Sequence, residues 1–256
     1  MLRLAPALTA LLLAMLLGAC ASRGTQSADV TDPSDPLEPT NRRILAFNLR
    51  VDDCCIKPVA KAYRDNVPEW GRTRIRNVVH NIEEPTYVVN DLLQGRPVAA
   101  GTSFMRFVIN STLGLAGMFD LQPIGGPPRK PSDFGMTLYR WGASSGPYLM
   151  IPILGPSDVR DFGGTVVDGF VNPISWAMPF YGNIARGTVN GLDLRAQNIE
   201  TLDALRADSL DFYARLRSVW QQQRDAELSQ VKPGGGGENL DILQDPNAPN
   251  LTGRPR

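Results

Sequence analysis

The chain has 256 residues, and its 26 Lys+Arg stand against 26 Asp+Glu, a formal net charge of zero. That balance leaves no basic excess to neutralise a phosphate backbone and excludes an electrostatically driven nucleic-acid binder. Hydrophobic residues make up 43%, ordinary for a globular protein, while 24 Gly and 21 Pro imply many short elements joined by sharp turns.

The N-terminus opens with Arg3 and an apolar run from Leu8 to Leu17, the layout of a secretory signal peptide. Leu17-Gly18-Ala19-Cys20 closes it and looks like a bacterial lipobox, in which the Cys20 thiol is diacylated and the chain is cut before it. Acyl chains add about 0.8 kcal/mol of membrane affinity per buried methylene, so two or more anchor a protein stably. Residues 1–19 are therefore expected to be a lipoprotein signal peptide. Residues 20–36, polar and Pro-bearing, read as a lipidated flexible tether. The folded body is expected over 37–231, and 232–256, which begins Lys232-Pro233-Gly234, reads as a disordered tail.

Within the body the pattern is helical. Pro39-Thr40-Asn41 starts a first helix carrying Ile44, Leu45, Phe47 and Val51; a second follows Pro58. Pro68-Glu69 opens a third, where Ile75, Val78, Val79 and Ile82 recur on one face and Arg72, Arg74 and Arg76 lie opposite. Pro85 is expected to start a fourth, with Val88, Val89, Leu92 and Leu93, ended by Gly95. Pro97 starts a fifth through Phe104, Met105 and Val108. Near the C-terminus, Ile199, Leu202 and Leu205 form one stripe and Leu210, Tyr213, Leu216 and Trp220 another, with a break at Asp208-Ser209. Each stripe is expected to face a core.

Phe107–Phe119, Gly142–Ser157 and Gly169–Ala185 carry no charge, yet each falls short of the roughly 20 apolar residues a membrane span needs. Prolines and glycines interrupt them. They are either core segments or short pieces lying in one leaflet, their irregular backbone shielded by the rest of the protein.

Catalytic motifs are absent in substance. Gly142-Ala143-Ser144-Ser145-Gly146 fits G-x-S-x-G, but Pro147 disfavours the helix a nucleophile elbow requires, and the one histidine, His80, precedes the serine. His80, beside Asn81, reads as a surface residue. No catalytic residue, cofactor fingerprint or metal-ligand spacing is found. Cys54-Cys55 reads either as two small apolar residues at a helix end or as a vicinal disulfide or metal clip.

A set of short motifs in order carries a family resemblance: Asp35-Pro36-Leu37-Glu38-Pro39, Phe47-Asn48, Lys57-Pro58-Val59-Ala60, Tyr63-Arg64, Asn81-Ile82-Glu83-Glu84-Pro85, Val89-Asn90-Asp91, Arg106-Phe107, Asn110-Ser111-Thr112-Leu113-Gly114, Asp133-Phe134-Gly135, Gly146-Pro147-Tyr148 and Arg160-Asp161. From about Asp35 to about Gln197 the chain resembles the MlaA (VacJ) lipoproteins of Gram-negative outer membranes. Cys54-Cys55 and the glycine tail are not part of that pattern.

The resemblance implies a mainly α fold, a ring-like arrangement of amphipathic helices around an amphipathic channel, embedded in one leaflet. It implies a non-enzymatic lipoprotein, anchored by Cys20 on the periplasmic side of the outer membrane. Such a protein removes mislocalised phospholipid from the outer leaflet and passes it to the periplasmic carrier MlaC while bound to a porin trimer. The alternative is a structural or assembly lipoprotein that binds an outer-membrane barrel and moves no lipid. The family's first helix borders the channel, which implicates Phe47, Asn48 and Leu49, unless they form a packing face. Arg186, a lone cation in the apolar stretch Tyr181–Val189, is the candidate for meeting a headgroup, since an unpaired charge in an apolar layer is costly. Its alternative is a side chain reaching a headgroup at the rim.

Overall fold

Proline sets the rhythm of the body, opening most of the helices seen in a computed structural model that describes residues 35–232. The expected signal peptide, with Cys20, lies outside those residues, as do all of the tether but Asp35 and Pro36 and all of the tail but Lys232. Every helix and strand below belongs to one unit, Leu37–Arg256.

The first helix, α1 (Glu38–Val51), has Pro39 in its first turn, where a missing N–H costs nothing. It runs without a break through a π-helical turn, Asp52–Ile56, into α2 (Lys57–Asn66). Pro58 accounts for that turn. In a regular α-helix its ring would collide with the carbonyl four residues back, and the wider turn, in which the Lys57 N–H reaches Asp52 O, removes the collision.

Next comes α3 (Glu69–Leu93), a single helix of 25 residues with Pro85 inside it. The expectation that Pro85 begins a separate helix is therefore corrected. A proline within a helix costs about 3 kcal/mol, and here long packing against α4 (Pro97–Thr112) offsets it. In the interrupted turn, the Ile82 carbonyl accepts a 2.9 Å hydrogen bond from Asn172 Nδ2.

The remaining elements are a 3-10 turn (Gln122–Ile124), α5 (Phe134–Arg140), strands β1 (Tyr148–Ile151) and β2 (Gly155–Asp158), α6 (Val159–Val171), α7 (Pro173–Ala177), α8 (Phe180–Gln197), α9 (Ile199–Ala207) and α10 (Phe212–Ser229). The mainly α fold agrees with expectation, as does the break between α9 and α10. The sequence reading has no counterpart for the antiparallel hairpin, which pairs Tyr148 with Asp158 and Ile151 with Gly155. Neighbouring elements close into a circuit, α1 to β1, β2, α6, α7, α3, α8, α2, the π turn and back to α1. The arrangement is ring-like. Among the described residues no helix is long and apolar enough to cross a membrane.

One apolar core is conventional. Leu45 of α1, Tyr148 and Met150 of β1 and Tyr213 of α10 are buried together, with Ile44, Leu49, Leu216 and Trp220 packed around them. Leu210, expected in the same stripe, is instead fully exposed at the corner before α10. A smaller cluster joins Met136 to Leu228 and Val231.

Candidate functional site

Two turns of α1 separate Asn41 from Asn48, so both amides project on one side of the helix. Asn41 Nδ2 donates to Tyr148 O, and its Oδ1 accepts from the Met150 N–H, both at 2.9 Å. Asn48 makes the same pair of bonds three residues further along, donating to Ile151 O at 2.9 Å and accepting from the Ile153 N–H at 2.8 Å. The two amides zip the helix to the free side of the hairpin. Pro156 stands opposite Met150, whose backbone is turned toward Asn41, so the proline's missing N–H breaks no ladder bond. At the tip, Ile153 adopts a left-handed φ of 67°, and Ile153 and Leu154 are exposed. Of the other expected residues on α1, Phe47 is half exposed and Leu49 packs against the apolar core.

The α3–α4 pair is built the other way round. Its buried face on α3 carries Asn81, Glu84, Asn90 and Asp91, and on α4 Ser103, Arg106 and Asn110. Of the residues expected to face a core, Ile75, Leu92, Leu93, Phe104, Met105 and Val108 are exposed, Val78, Ile82, Val88 and Val89 are partly buried, and Val79 is buried. The buried polar face is paired throughout much of its length. Arg106 Nε donates to Glu84 Oε1 at 2.7 Å, its Nη2 to Asp120 Oδ2 at 2.7 Å and its Nη1 to Pro127 O at 2.9 Å. Asn90 Nδ2 donates to Asp168 Oδ1 at 2.7 Å and its Oδ1 accepts from the Thr137 hydroxyl at 2.9 Å. Gln94 Nε2 reaches Thr137 Oγ1 and Ser132 Oγ, each at 3.0 Å.

Burial governs the protonation of this interior. It pushes the Glu84 carboxyl up to about 7 against the pull of Arg106, and Asp168 up to about 6. His80 is half-buried rather than on the surface. Desolvation, reinforced by Arg129 and Arg76, lowers it to about 4 and keeps the imidazole neutral.

A second ionic knot ties α5, α6 and α10. Arg224 Nε and Nη2 reach the Asp161 carboxylate at 2.6 and 2.9 Å, and Nη1 and Nη2 reach Asp133 at 2.8 Å each. Gly135 and Gly164 make room for it. A Cβ on Gly135 would overlap Asp161 Oδ1 and Arg224 Nη2, and one on Gly164 would overlap the Gly135 backbone.

Around α6, α7 and α8 the exterior becomes aromatic: Phe170 is 71% exposed, Trp176 77%, Phe180 80% and Tyr181 76%. Arg186 lies on this part of α8. Its Nη2 reaches Ser175 Oγ at 3.3 Å, while Nη1 is buried with no hydrogen-bond partner among the described residues. One turn earlier, Asn183 Nδ2 holds Ser175 O at 2.9 Å and leaves its own Oδ1 buried and unpartnered. Arg186 and the α1 residues sit on different arcs of the circuit, joined through α2 and the π turn. Ser144 is exposed and lies after a helix and before a strand, the reverse of the strand–turn–helix order of a nucleophile elbow.

Sequence reasoning missed the polar interior, although its signal is present: Asn81, Glu84, Tyr87 and Asp91 recur at helical spacing. Periodicity identifies residues sharing a face and is silent on which face is inside.

These features fit what the chain is similar to. A family model described as MlaA lipoprotein matches residues 33–227. The intermembrane phospholipid transport system lipoprotein MlaA of Escherichia coli (strain K12) is 38% identical over 236 residues, 90% of this chain and 92% of that one. Its namesake from Haemophilus influenzae is 31% identical over 250 residues, 93% and 97% of the two chains. A chain solved for the structural basis for maintenance of bacterial outer membrane lipid asymmetry superposes with a TM-score of 0.69 at 36% identity, covering 76% of this chain and 99% of that chain. The chain belongs to the MlaA lipoprotein family.

Proposed function

We propose that this lipoprotein works in intermembrane phospholipid transport and the maintenance of lipid asymmetry. In this reading Cys20 carries the acyl anchor on the periplasmic side of the outer membrane. Residues 37–231 form the working ring in one leaflet, and its passage takes phospholipid misplaced in the outer leaflet toward the carrier MlaC beside a porin trimer. The observation that carries the reading is the inverted burial of α3 and α4, with hydrogen-bonded polar groups inside and large apolar side chains outside. In water such a surface loses about 25 cal/mol for every Å² of apolar area left exposed, a loss that acyl chains remove. The aromatic exterior of α7 and α8 supports a position at the headgroup level, where amphipathic rings gather.

Arg186 meets the lipid phosphate in this scheme. A guanidinium with one buried nitrogen unpartnered has a charge-assisted hydrogen bond to offer, worth about 1.5–3 kcal/mol. Asn48 and its neighbours Phe47 and Leu49 border the passage at the hairpin, where Asn48 fixes the tip's position.

Arg186→Glu tests the reading in a strain lacking the native gene. The variant should accumulate normally and keep its barrel partner, yet leave phospholipid in the outer leaflet and the cells sensitive to detergent plus chelator. Normal barrier function would remove Arg186 from the pathway. Purified native protein that extracts no phospholipid and delivers none to a carrier would favour the structural lipoprotein instead.

A further inference from the structure

Cys54 and Cys55 are joined by a disulfide, and both residues are exposed. They occupy the third and fourth positions of the π turn that links α1 to α2 without a break in the helix. The flanking charges grip two neighbouring helices, α8 and α9. Asp52 holds Arg195 of α8 through both oxygens at 2.8 Å each, and Asp53 holds Arg206 of α9 through both at 3.0 Å. Lys57, the next charged residue, reaches Asp203 Oδ1 at 2.9 Å. The disulfide thus sits where three ion pairs fasten α8 and α9 to the α1–α2 elbow.

We propose that Cys54–Cys55 is a thiol–disulfide exchange site whose co-reactant is a dithiol protein of the compartment that holds the chain, and that its redox state sets the rigidity of this elbow. A thiolate of the dithiol attacks one cysteine sulfur, the Cys54–Cys55 bond breaks, and a mixed disulfide forms while the other cysteine leaves as thiolate. The second thiol of the reductant then displaces the first cysteine. Two electrons pass to the chain, the reductant ends as its own disulfide, and its two thiol protons end on the cysteines.

Three observations support the assignment. Exposure gives the attacking thiolate access, which a structural buried disulfide denies. Adjacent cysteines close a loop of no intervening residues, so the bond contributes almost nothing by restricting the unfolded chain, and a purely stabilising role is poorly served. Pro58 holds the π turn by itself, so the turn survives reduction and presents both thiols again for reoxidation. What reduction removes is the covalent tie within the turn from which Asp52 and Asp53 reach out.

The test uses full-length protein. Cells are quenched in acid and alkylated before any reductant is added, and the peptide Val51–Lys61 is weighed. It should carry no label and be two hydrogens lighter than the dithiol form. The protein in mild detergent, treated with dithiothreitol without denaturant and then freed of it, should take up two labels in one aliquot and, left unlabelled in another, bind phenylarsine oxide one to one, and Cys54→Ser should abolish that binding. Amide exchange across Asp52–Lys57 should accelerate about tenfold on reduction, with α10 unchanged as the internal control. In the Cys54→Ser/Cys55→Ser variant exchange should be fast with or without reductant. Two labelled thiols in quenched cells, refusal of native dithiol reduction, or amide exchange indifferent to reduction would each overturn the proposal.

Discussion

Two halves of the same ring bury opposite chemistry. Around α1, the hairpin and α10, a conventional core of Leu45, Tyr148, Met150 and Tyr213 excludes water. Between α3 and α4 the interior is Glu84, Arg106, Asn81 and Asn110, and the large apolar side chains look outward. Water drives the first arrangement through the hydrophobic effect. The second gains less from it, through Val79, Tyr87 and Ala100, and depends on hydrogen bonds made in a low-dielectric interior, where each unmade bond is costly. Apolar surroundings reconcile the two within one chain.

The largest expected effect lies in the polar half. Arg106→Met leaves Glu84, fully buried, and Asp120 without their cation, and should lower unfolding free energy in detergent by about 3–5 kcal/mol. Adding Glu84→Gln should recover a large part of that loss, because the cost comes from the stranded charge. A double variant no better than the single one would mean that the pair matters for its shape. In the apolar half, Met150→Ala should cost about 2–5 kcal/mol through lost burial and the cavity left behind, with no second substitution of a charge able to restore it.

The smallest effect is on pH dependence, and its sign divides the polar half. Glu84 and Asp168 have folded values raised above the ordinary 4.5 and 3.8, to about 7 and about 6, so the folded state holds extra protons and their contribution falls as pH rises through those windows. His80 works in the other direction. Its folded value is lowered from 6.5 to about 4, the unfolded state binds the extra proton, and its contribution grows as pH rises between them. Chemical unfolding of His80→Gln should therefore show stability falling more steeply than wild type from pH 4 to 6.5. A profile no steeper than wild type would mean that His80 in the fold keeps its ordinary affinity for the proton.

How the sequence relates to this structure varies by element. Pro39, Pro68 and Pro97 mark true helix starts, because a missing N–H is harmless in a first turn. Pro85 misleads because the same residue is tolerated inside α3, where packing against α4 makes up for the interrupted turn. Four-residue strands containing or flanked by Pro152 and Pro156 give no alternation long enough to read. At the site, the special character of Asn48 and Arg186 is visible in the residues. Their partners, a strand backbone 103 residues away and a serine on the preceding helix, depend on tertiary structure alone.

The asparagine zipper on α1 has a consequence for how copies of this protein behave beside one another. A two-stranded hairpin has an outer edge whose unpaired N–H and C=O groups invite another strand, the usual route to swapping and fibrous association. Here Tyr148 O and Met150 N on the outward edge of β1 are already occupied by Asn41, and Asn48 holds Ile151 O and Ile153 N at the end of the strand. A helix, through two side-chain amides, stands in for the missing third strand. With the tip pinned by Asn48, the β1 edge offers little template to another strand, so the exposure of Ile153 and Leu154 need not bring self-association through that edge.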